Sequence, residues 1–253
     1  LVTPDPGNTN TGSVTWTYSI ANNALNLLGA GDTLTLSYLV RVDNNYTPFD
    51  QSTTVPITIT ISGGPASETW IAASPGGGLW SDAANWETGR VPAASDDVII
   101  TSDQSIGVTP AYPVTINAPA LAKSVTMSDL SATPPELDND STLTISSALT
   151  LSADSIVHNF GTISVGGAAE FTQQSTLVNF GTLVLGHGGD FNGESSITNT
   201  GYGTIEISGG TLNVLVDVNN QGRITVDAGA TLALAGGAID GGTVTIQGTL
   251  DLA

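Results

Sequence analysis

The sequence VHNFGTISV at residues 157–165 returns as LVNFGTLVL at residues 177–185. Both stretches are centred on an asparagine, and this residue recurs through the second half of the chain. Successive asparagines lie 20 residues apart, and the last step is 21 residues. The asparagine column contains Asn139, Asn159, Asn179, Asn199 and Asn220. The second half of the chain is therefore a sequence repeat.

Apolar residues also recur in three columns. The column before the asparagine contains Val157, Leu177, Ile197 and Val218. The two columns after it contain Leu143, Ile163, Leu183, Ile205 and Ile224, and then Ile145, Val165, Leu185, Ile207 and Val226. Side chains two residues apart point to the same face of a strand. Each repeat therefore predicts short strands with one buried face and one solvent-facing side.

A period of about 20 residues with two or three short strands predicts a parallel β-helix, or β-solenoid, because one rung cannot bury its apolar face until other rungs stack on it. Asparagine tolerates left-handed backbone, so we expect the column at a corner between strands. The glycines expected at the same corner are Gly161, Gly181, Gly201 and Gly222. Stacking in register would join the asparagine amides into a ladder along one edge of the solenoid, with a structural role.

The composition restricts the possible partners. The chain has 253 residues, with 4 Lys and Arg against 23 Asp and Glu, and a formal charge of -19. Such a field repels phosphate backbones and anionic lipids and attracts cations, so we predict no nucleic-acid binding. The chain has no cysteine, so neither disulfides nor thiolate metal sites are possible. No apolar run approaches the roughly 20 residues of a membrane helix, so we also predict no membrane insertion.

Residues 1–64 carry a different pattern. Apolar residues alternate along residues 14–20, and again in TLTLSYLVRVD at residues 33–43 and in TVPITITI at residues 54–61. Gly-rich and polar turns separate these runs. Several short alternating strands with turns between them predict a β-sandwich.

Three stretches in this region carry a resemblance to a known family. GSVTW at residues 12–16, LGAGDTLT at residues 28–35 and VPITITISG at residues 55–63 resemble the C-terminal half of a VCBS repeat, a cadherin-like module of large secreted bacterial adhesins. The resemblance covers residues 12–64. It implies a partial immunoglobulin-like or cadherin-like β-sandwich in an extracellular protein, and relatives of this module bind calcium in loops between domains.

Trp70, Trp80 and Trp86 lie within 17 residues, and the stretches around them read GGGLWSDAANW at residues 76–86 and VPAASDDVII at residues 91–100. These stretches resemble the segment that leads into the β-helices of secreted adhesins and autotransporter-like surface proteins, and we assign residues 65–95 to it. We predict that they form a linker and a cap for the solenoid, which then occupies residues 96–253. A hydrophobic cap would cover strand edges that otherwise face water. The alternative is a platform on which sugars stack, with Trp80 and Trp86 as the glycan contacts.

Some β-helices are polysaccharide hydrolases or lyases, and two fragments here resemble the polygalacturonase signature. They are the pair Asp96 and Asp97 and the Gly-His-Gly tripeptide around His187. In that family a carboxylate pair activates water. The pair lies about four predicted rungs from His187, and basic residues to hold an acidic sugar are few. We predict that the chain is not an enzyme, and that His158 and His187 are surface residues.

Two acidic clusters offer oxygen ligands for calcium. The candidates in the loop after residue 43 are Asp43, Asn45 and Asp50, and the candidates beside the first asparagine of the repeat are Asp138 and Asp140. Neither cluster follows an EF-hand or a Gly-rich calcium nonapeptide. The alternative is that they are solvated carboxylates in turns.

These features predict a non-catalytic structural segment of an extracellular bacterial surface adhesin or fibre, acting as a rigid rod in cell adhesion or the biofilm matrix. One alternative is a filament subunit joined head to tail through open β edges. Another is a β-helix that binds or degrades carbohydrate. The expected partners are copies of the chain, neighbouring repeats of a longer parent protein, and polysaccharide of the cell surface or matrix.

Overall fold

The computed structural model describes residues 2–4, 12–14, 17, 19, 28, 33–43, 52–63, 67–101, 109–128 and 133–252. Contacts between Cα atoms divide the chain into two compact units, and the chain passes from the first to the second between Gly63 and Gly64. We call the second unit the solenoid. No helix among the described residues is long and apolar enough to cross a membrane.

In the first unit, the described strands form two antiparallel ribbons. β1 (Val2–Pro4) pairs with β2 (Gly12–Val14), and β3 (Thr33–Asp43) pairs with β4 (Ser52–Ser62). Residues of like character face each other across the longer ribbon, as in the pairs Leu36 with Ile59 and Tyr38 with Ile57. Most of the alternating run at residues 14–20 lies outside the described residues, so the sandwich stays a prediction.

The solenoid contains three parallel sheets. The first sheet contains β5 (Ser67–Thr69), β7 (Asp97–Thr101), β10 (Ser124–Ser128), β13 (Leu149–Ser152), β16 (Ala169–Phe171), β19 (Gly188–Phe191), β22 (Thr211–Val214), β25 (Thr231–Leu234) and β28 (Thr249–Leu252). The second contains β6 (Gly78–Leu79), β8 (Val114–Ile116), β11 (Glu136–Asn139), β14 (Ile156–Asn159), β17 (Thr176–Asn179), β20 (Ser196–Asn199), β23 (Val218–Asn220) and β26 (Ile239–Asp240). The third contains β9 (Ala120–Ala122), β12 (Thr142–Ile145), β15 (Thr162–Val165), β18 (Thr182–Leu185), β21 (Thr204–Ile207), β24 (Arg223–Val226) and β27 (Thr243–Ile246).

Successive strands along the chain therefore belong to the first, second and third sheets in turn. The chain makes about seven turns of about 20 residues each, which confirms the predicted β-solenoid. Register is strict from rung to rung, so that Val157 stacks on Leu177 and Ile163 stacks on Leu183. The alternation of apolar and polar residues along each strand sends one column into the core and the next to solvent.

The core is a stack of buried apolar columns. The residues predicted from the repeat are at most 3 % exposed, among them Leu143, Val157 and Ile224. The first sheet adds a column that the alignment on asparagines did not predict, in which Phe171 and Phe191 meet edge to face with ring centroids 5.0 Å apart. Burial of each such side chain contributes roughly 1.5–3 kcal/mol.

The corners differ from the expectation for asparagine. Left-handed backbone occurs in the turns from the first sheet to the second, where Asp154, Gln174 and Glu194 have φ of 59°, 66° and 64°. The asparagines are instead the last residues of strands in the second sheet. The expected left-handed corner is therefore wrong, because an extended asparagine turns its amide into the core, where the next rung repeats it.

The glycine column has a steric cause. A Cβ on Gly161 would lie 1.9 Å from the carbonyl oxygen of Ser141, so the backbones of adjacent rungs leave no room for a side chain. In the longer fourth repeat this column continues through Gly203, where a Cβ would lie 2.3 Å from the carbonyl oxygen of Asn179. Gly201 lies in the same corner, as predicted, but a Cβ on it would meet nothing within 4 Å, so this glycine does not share the steric cause.

Candidate functional site

The asparagine column forms a continuous hydrogen-bonded ladder. Nδ2 of Asn139 donates to Oδ1 of Asn159 at 2.8 Å, and the same bond repeats at 2.8 Å through each following pair as far as Asn220. All five side chains have an exposed fraction of 0 %. The ladder therefore lies inside the solenoid and not along an exposed edge.

The second proton of each amide is also used. Nδ2 of Asn139 donates to the carbonyl oxygen of Thr162 at 3.0 Å, and Nδ2 of Asn159 donates to that of Thr182 at 2.9 Å. These bonds join the end of a strand in the second sheet to the third sheet of the next rung. A buried amide costs free energy unless its groups are paired, so the ladder makes a polar column compatible with the core.

The tryptophans close the end of the solenoid where the described strands begin. Trp70, Trp80 and Trp86 are at most 2 % exposed. The ring of Trp86 meets that of Trp70 edge to face at 5.1 Å and that of Trp80 at 4.9 Å, and its Nε1 donates to the carbonyl oxygen of Trp80 at 2.7 Å. This burial fits the cap. It contradicts the platform, since Trp80 and Trp86 offer no open ring face to a sugar.

A buried ion-pair group lies in the same segment. Arg90 reaches Glu68 at 3.0 Å and Asp96 at 2.7 Å, and both carboxylates are 0 % exposed. The hydroxyl of Thr88 donates to Glu68 at 2.7 Å, and the backbone N–H of Ala93 donates to Asp96 at 2.7 Å. Burial raises the pKa of Glu68, while Thr88 and Arg90 act to lower it. The group fixes the loop of residues 87–96 against the first sheet.

The predicted catalytic fragments lie apart. Asp96 is held by Arg90, and Asp97 accepts hydrogen bonds from Ser124 at 2.6 Å and Lys123 at 3.0 Å, which lower the pKa of Asp97. His187 precedes β19, which three strands separate from β7 in the first sheet. The described residues therefore do not form the carboxylate and histidine arrangement that the resemblance would require.

The structure describes only some of the predicted calcium ligands. Asn45 and Asp50 lie outside the described residues, as does the side chain of Asp43, the last residue of β3. Asp138 faces outward from the second sheet, whereas Asp140 is an exposed residue of the following corner. The group of possible metal ligands that includes Asp138 does not include Asp140.

A histidine joins Asp138 in place of Asp140. Nδ1 of His158 lies 2.9 Å from Oδ1 of Asp138 and 3.1 Å from Oε1 of Glu136. The three side chains are 27–33 % exposed. Asp138 and His158 are direct partners in adjacent strands, so the period of the repeat brings them together. The sequence signal was their spacing of 20 residues, which matches that of the asparagines.

An aromatic stack borders this group. The rings of Phe160 and Phe180 lie 4.8 Å apart at 12°, and their exposed fractions are 50 % and 37 %. Tyr202, in the longer repeat, is 91 % exposed. The phenylalanines lie in the corner between the second and third sheets, and each turns a ring face to the other.

A serine column was missed by the sequence reasoning. Ser155, Ser175 and Ser195 follow the left-handed turns, and they are 0 %, 0 % and 6 % exposed. Their hydroxyls have no hydrogen-bond partner among the described residues. Their spacing of 20 residues is the same signal that identified the asparagines.

The class of protein is a parallel three-sheet β-solenoid with an internal asparagine ladder. Comparisons with protein families, curated proteins and solved structures find no match for this chain.

Proposed function

We propose that this chain is a non-catalytic structural segment of an extracellular bacterial surface adhesin or fibre. Its solenoid acts as a rigid rod in cell adhesion or in the biofilm matrix. The observation that carries the proposal is the unbroken ladder from Asn139 to Asn220, which gives successive rungs a common polar spine.

The geometry suits a load-bearing role. In parallel sheets the backbone hydrogen bonds between rungs run along the solenoid axis, so every rung is bonded to the next in three sheets and through the ladder. About seven turns at ~4.8 Å per rung give a solenoid roughly 34 Å long. Length is then set by the number of rungs, and stiffness by the bonds between them.

Composition and resemblance support the extracellular setting. A formal charge of -19 keeps a repetitive β protein soluble through self-repulsion. The N-terminal residues resemble a module of secreted bacterial adhesins, whose relatives bind calcium between domains. We propose that this chain likewise binds calcium, in the loop that contains Asp43, Asn45 and Asp50.

Domain replacement in the cells that make the protein tests the rod. We expect adhesion to be lost when residues 67–252 are deleted and restored when an unrelated solenoid with the same number of rungs is inserted. Surface display is measured by antibody in each strain. If the unrelated solenoid is displayed equally well but adhesion stays lost, the surface of this solenoid takes part in binding and the proposal is wrong.

A filament subunit is the second candidate. The observation that favours it is the edge formed by β27 and β28, where Val244, Leu250 and Leu252 are 38 %, 42 % and 69 % exposed. Val244 and Leu250 stack on Ile224 and Leu232, which are buried in the preceding rung. Leu252 stacks on the partly buried Leu234, so a further rung or a second copy would cover all three positions. Light scattering that shows growth with protein concentration supports assembly. A monomer at every concentration, with and without calcium, contradicts it.

A further inference from the structure

The outward face of the second sheet holds three metal-ligating side chains that the rod does not require. We propose that Glu136, Asp138 and His158 bind one divalent first-row transition metal ion, of which Zn²⁺ is the representative. The ion would bridge two successive rungs, since Glu136 and Asp138 lie on β11 and His158 lies on β14.

The distances fit such an ion. One atom from each side chain lies within 4.8 Å of the other two, and Nδ1 of His158 is 2.9 Å and 3.1 Å from the two carboxylate oxygens. In the tetrahedral geometry that zinc prefers, an ion with bonds of about 2.1 Å places its ligand atoms roughly 3.4 Å apart. Small side-chain movements therefore suffice to enclose it.

The positions are set by the fold. Asp138 and His158 are partners in the parallel ladder, and Glu136 precedes Asp138 by two residues on the same face. The neighbouring residues Leu137, Asn139 and Val157 are buried in the core, so the strands that carry the ligands cannot easily separate. A site on packed strands is better ordered than one on a loop.

The chemistry selects the class of ion. Two carboxylates converge on a single ring nitrogen, which has only one proton or one lone pair to offer. A bound cation would satisfy both carboxylates and the nitrogen together. Calcium prefers six to eight oxygen ligands, whereas imidazole with carboxylates suits zinc and its neighbours. The strongly acidic chain adds a general attraction for cations.

The repeat supplies a matched variant for the test. Val178 occupies the position of His158 in the next rung, so His158→Val introduces a side chain that the same sheet already accommodates. Glu136→Gln keeps the shape of its side chain and removes the charge. His187→Gln removes the other histidine and serves as the control, because His187 does not belong to the group.

Isothermal titration of the full chain with Zn²⁺ and with Ca²⁺ measures the site, and thermal unfolding in EDTA checks that each variant folds. We expect one Zn²⁺ per chain, a melting temperature raised by several degrees, and affinity at least about tenfold weaker in His158→Val and in Glu136→Gln. His187→Gln should bind as the unchanged chain does. Equal Zn²⁺ affinity in the folded His158→Val variant, no stoichiometric Zn²⁺ binding, or Ca²⁺ binding of equal strength at this group would overturn the proposal.

Discussion

Nδ2 of Asn159 donates to Oδ1 of Asn179 at 2.8 Å, and neither side chain is exposed to solvent. The two residues belong to adjacent rungs, and both amides also bond the backbone of the third sheet. The ladder therefore depends on its inner members, since each inner amide donates to one neighbouring asparagine and accepts from the other. Loss of one rung's asparagine leaves polar groups unpaired in a dry core.

Asn179→Ala should destabilise the solenoid by about 2–5 kcal/mol, because Nδ2 of Asn159 and Oδ1 of Asn199 both lose a partner. Urea unfolding followed by circular dichroism measures the change. Asn219→Ala is the matched control, since Asn219 lies on the exposed face of the same sheet. Equal losses in the two variants would contradict the role given to the buried amides.

Ser175→Ala should leave the free energy of unfolding unchanged or raise it slightly. The hydroxyl is buried without a hydrogen-bond partner among the described residues, so its removal ends a desolvation cost. Two rungs before Ser175 the same position is already apolar, since it is held by Pro135. The N–H of Ile156 bonds to the carbonyl oxygen of Pro135 just as the N–H of Thr176 bonds to that of Ser155. A measured loss above about 1 kcal/mol would show that the hydroxyl is bonded in solution.

Gly181→Ala should be strongly destabilising, whereas Gly201→Ala should be tolerated. A Cβ at Gly181 would lie 1.9 Å from the carbonyl oxygen of Gly161, and a Cβ at Gly201 would meet nothing within 4 Å. Both variants make the same chemical change in neighbouring repeats. The difference between their melting temperatures isolates the steric requirement, and similar values would refute the stacking register.

Glu170→Thr should raise stability at neutral pH by about 0.5 kcal/mol, because Glu170 lies directly opposite Asp190 in the first sheet and Thr150 holds the same place one rung earlier. Burial and the charge of Asp190 raise the pKa of Glu170. The folded state therefore keeps this proton longer than the unfolded state, and stability falls as pH rises from about 4.5 through the raised pKa. In urea unfolding, the free energy of unfolding of the variant should fall less over that pH range.

Glu194→Gln, at a solvent-facing turn, controls for the change in net charge. An equal gain in stability in Glu194→Gln would contradict repulsion between Glu170 and Asp190 as the cause.

Trp86→Ala should lower the free energy of unfolding by about 3–5 kcal/mol, because it removes the ring that contacts both Trp70 and Trp80. Tyr202→Ala removes an aromatic ring that is 91 % exposed and should change stability by less than about 0.5 kcal/mol. Thermal unfolding of both variants measures the difference. A Trp86→Ala variant with unchanged stability would contradict the burial of this tryptophan and would favour the carbohydrate-binding alternative.

The repeat made most of the solenoid predictable. Because each rung places the same residue type at the same position, the columns of Asn159, Ile163 and Val165 identified the strands, the inward faces and the ladder. The same alignment put Gly201 in the column of Gly181, but the longer repeat has two more residues in this corner, and Gly203 occupies the crowded position. The expected left-handed conformation of the asparagines was wrong because the propensity of asparagine for turns is outweighed here by the hydrogen bonds of its inward-facing amide.

The candidate metal group was harder to predict than the ladder. His158 and Asp138 share the repeat spacing, but a polar pair on the solvent face has no column to mark it, and the next rung carries Val178 instead. The tryptophans show the same limit. Their clustering in the sequence fitted both a cap and a platform, and only the burial of Trp80 and Trp86 separated the two.

Hydrogen exchange of the asparagine side chains, followed by NMR, tests the ladder most directly. The account predicts that the Nδ2 protons of Asn139, Asn159, Asn179 and Asn199 exchange as slowly as the core backbone amides, because each proton is buried and bonded. Asn219 supplies an exposed reference in the same molecule. Rapid exchange at the four ladder positions, at the rate of Asn219, would contradict the continuous internal spine on which the proposed rod depends.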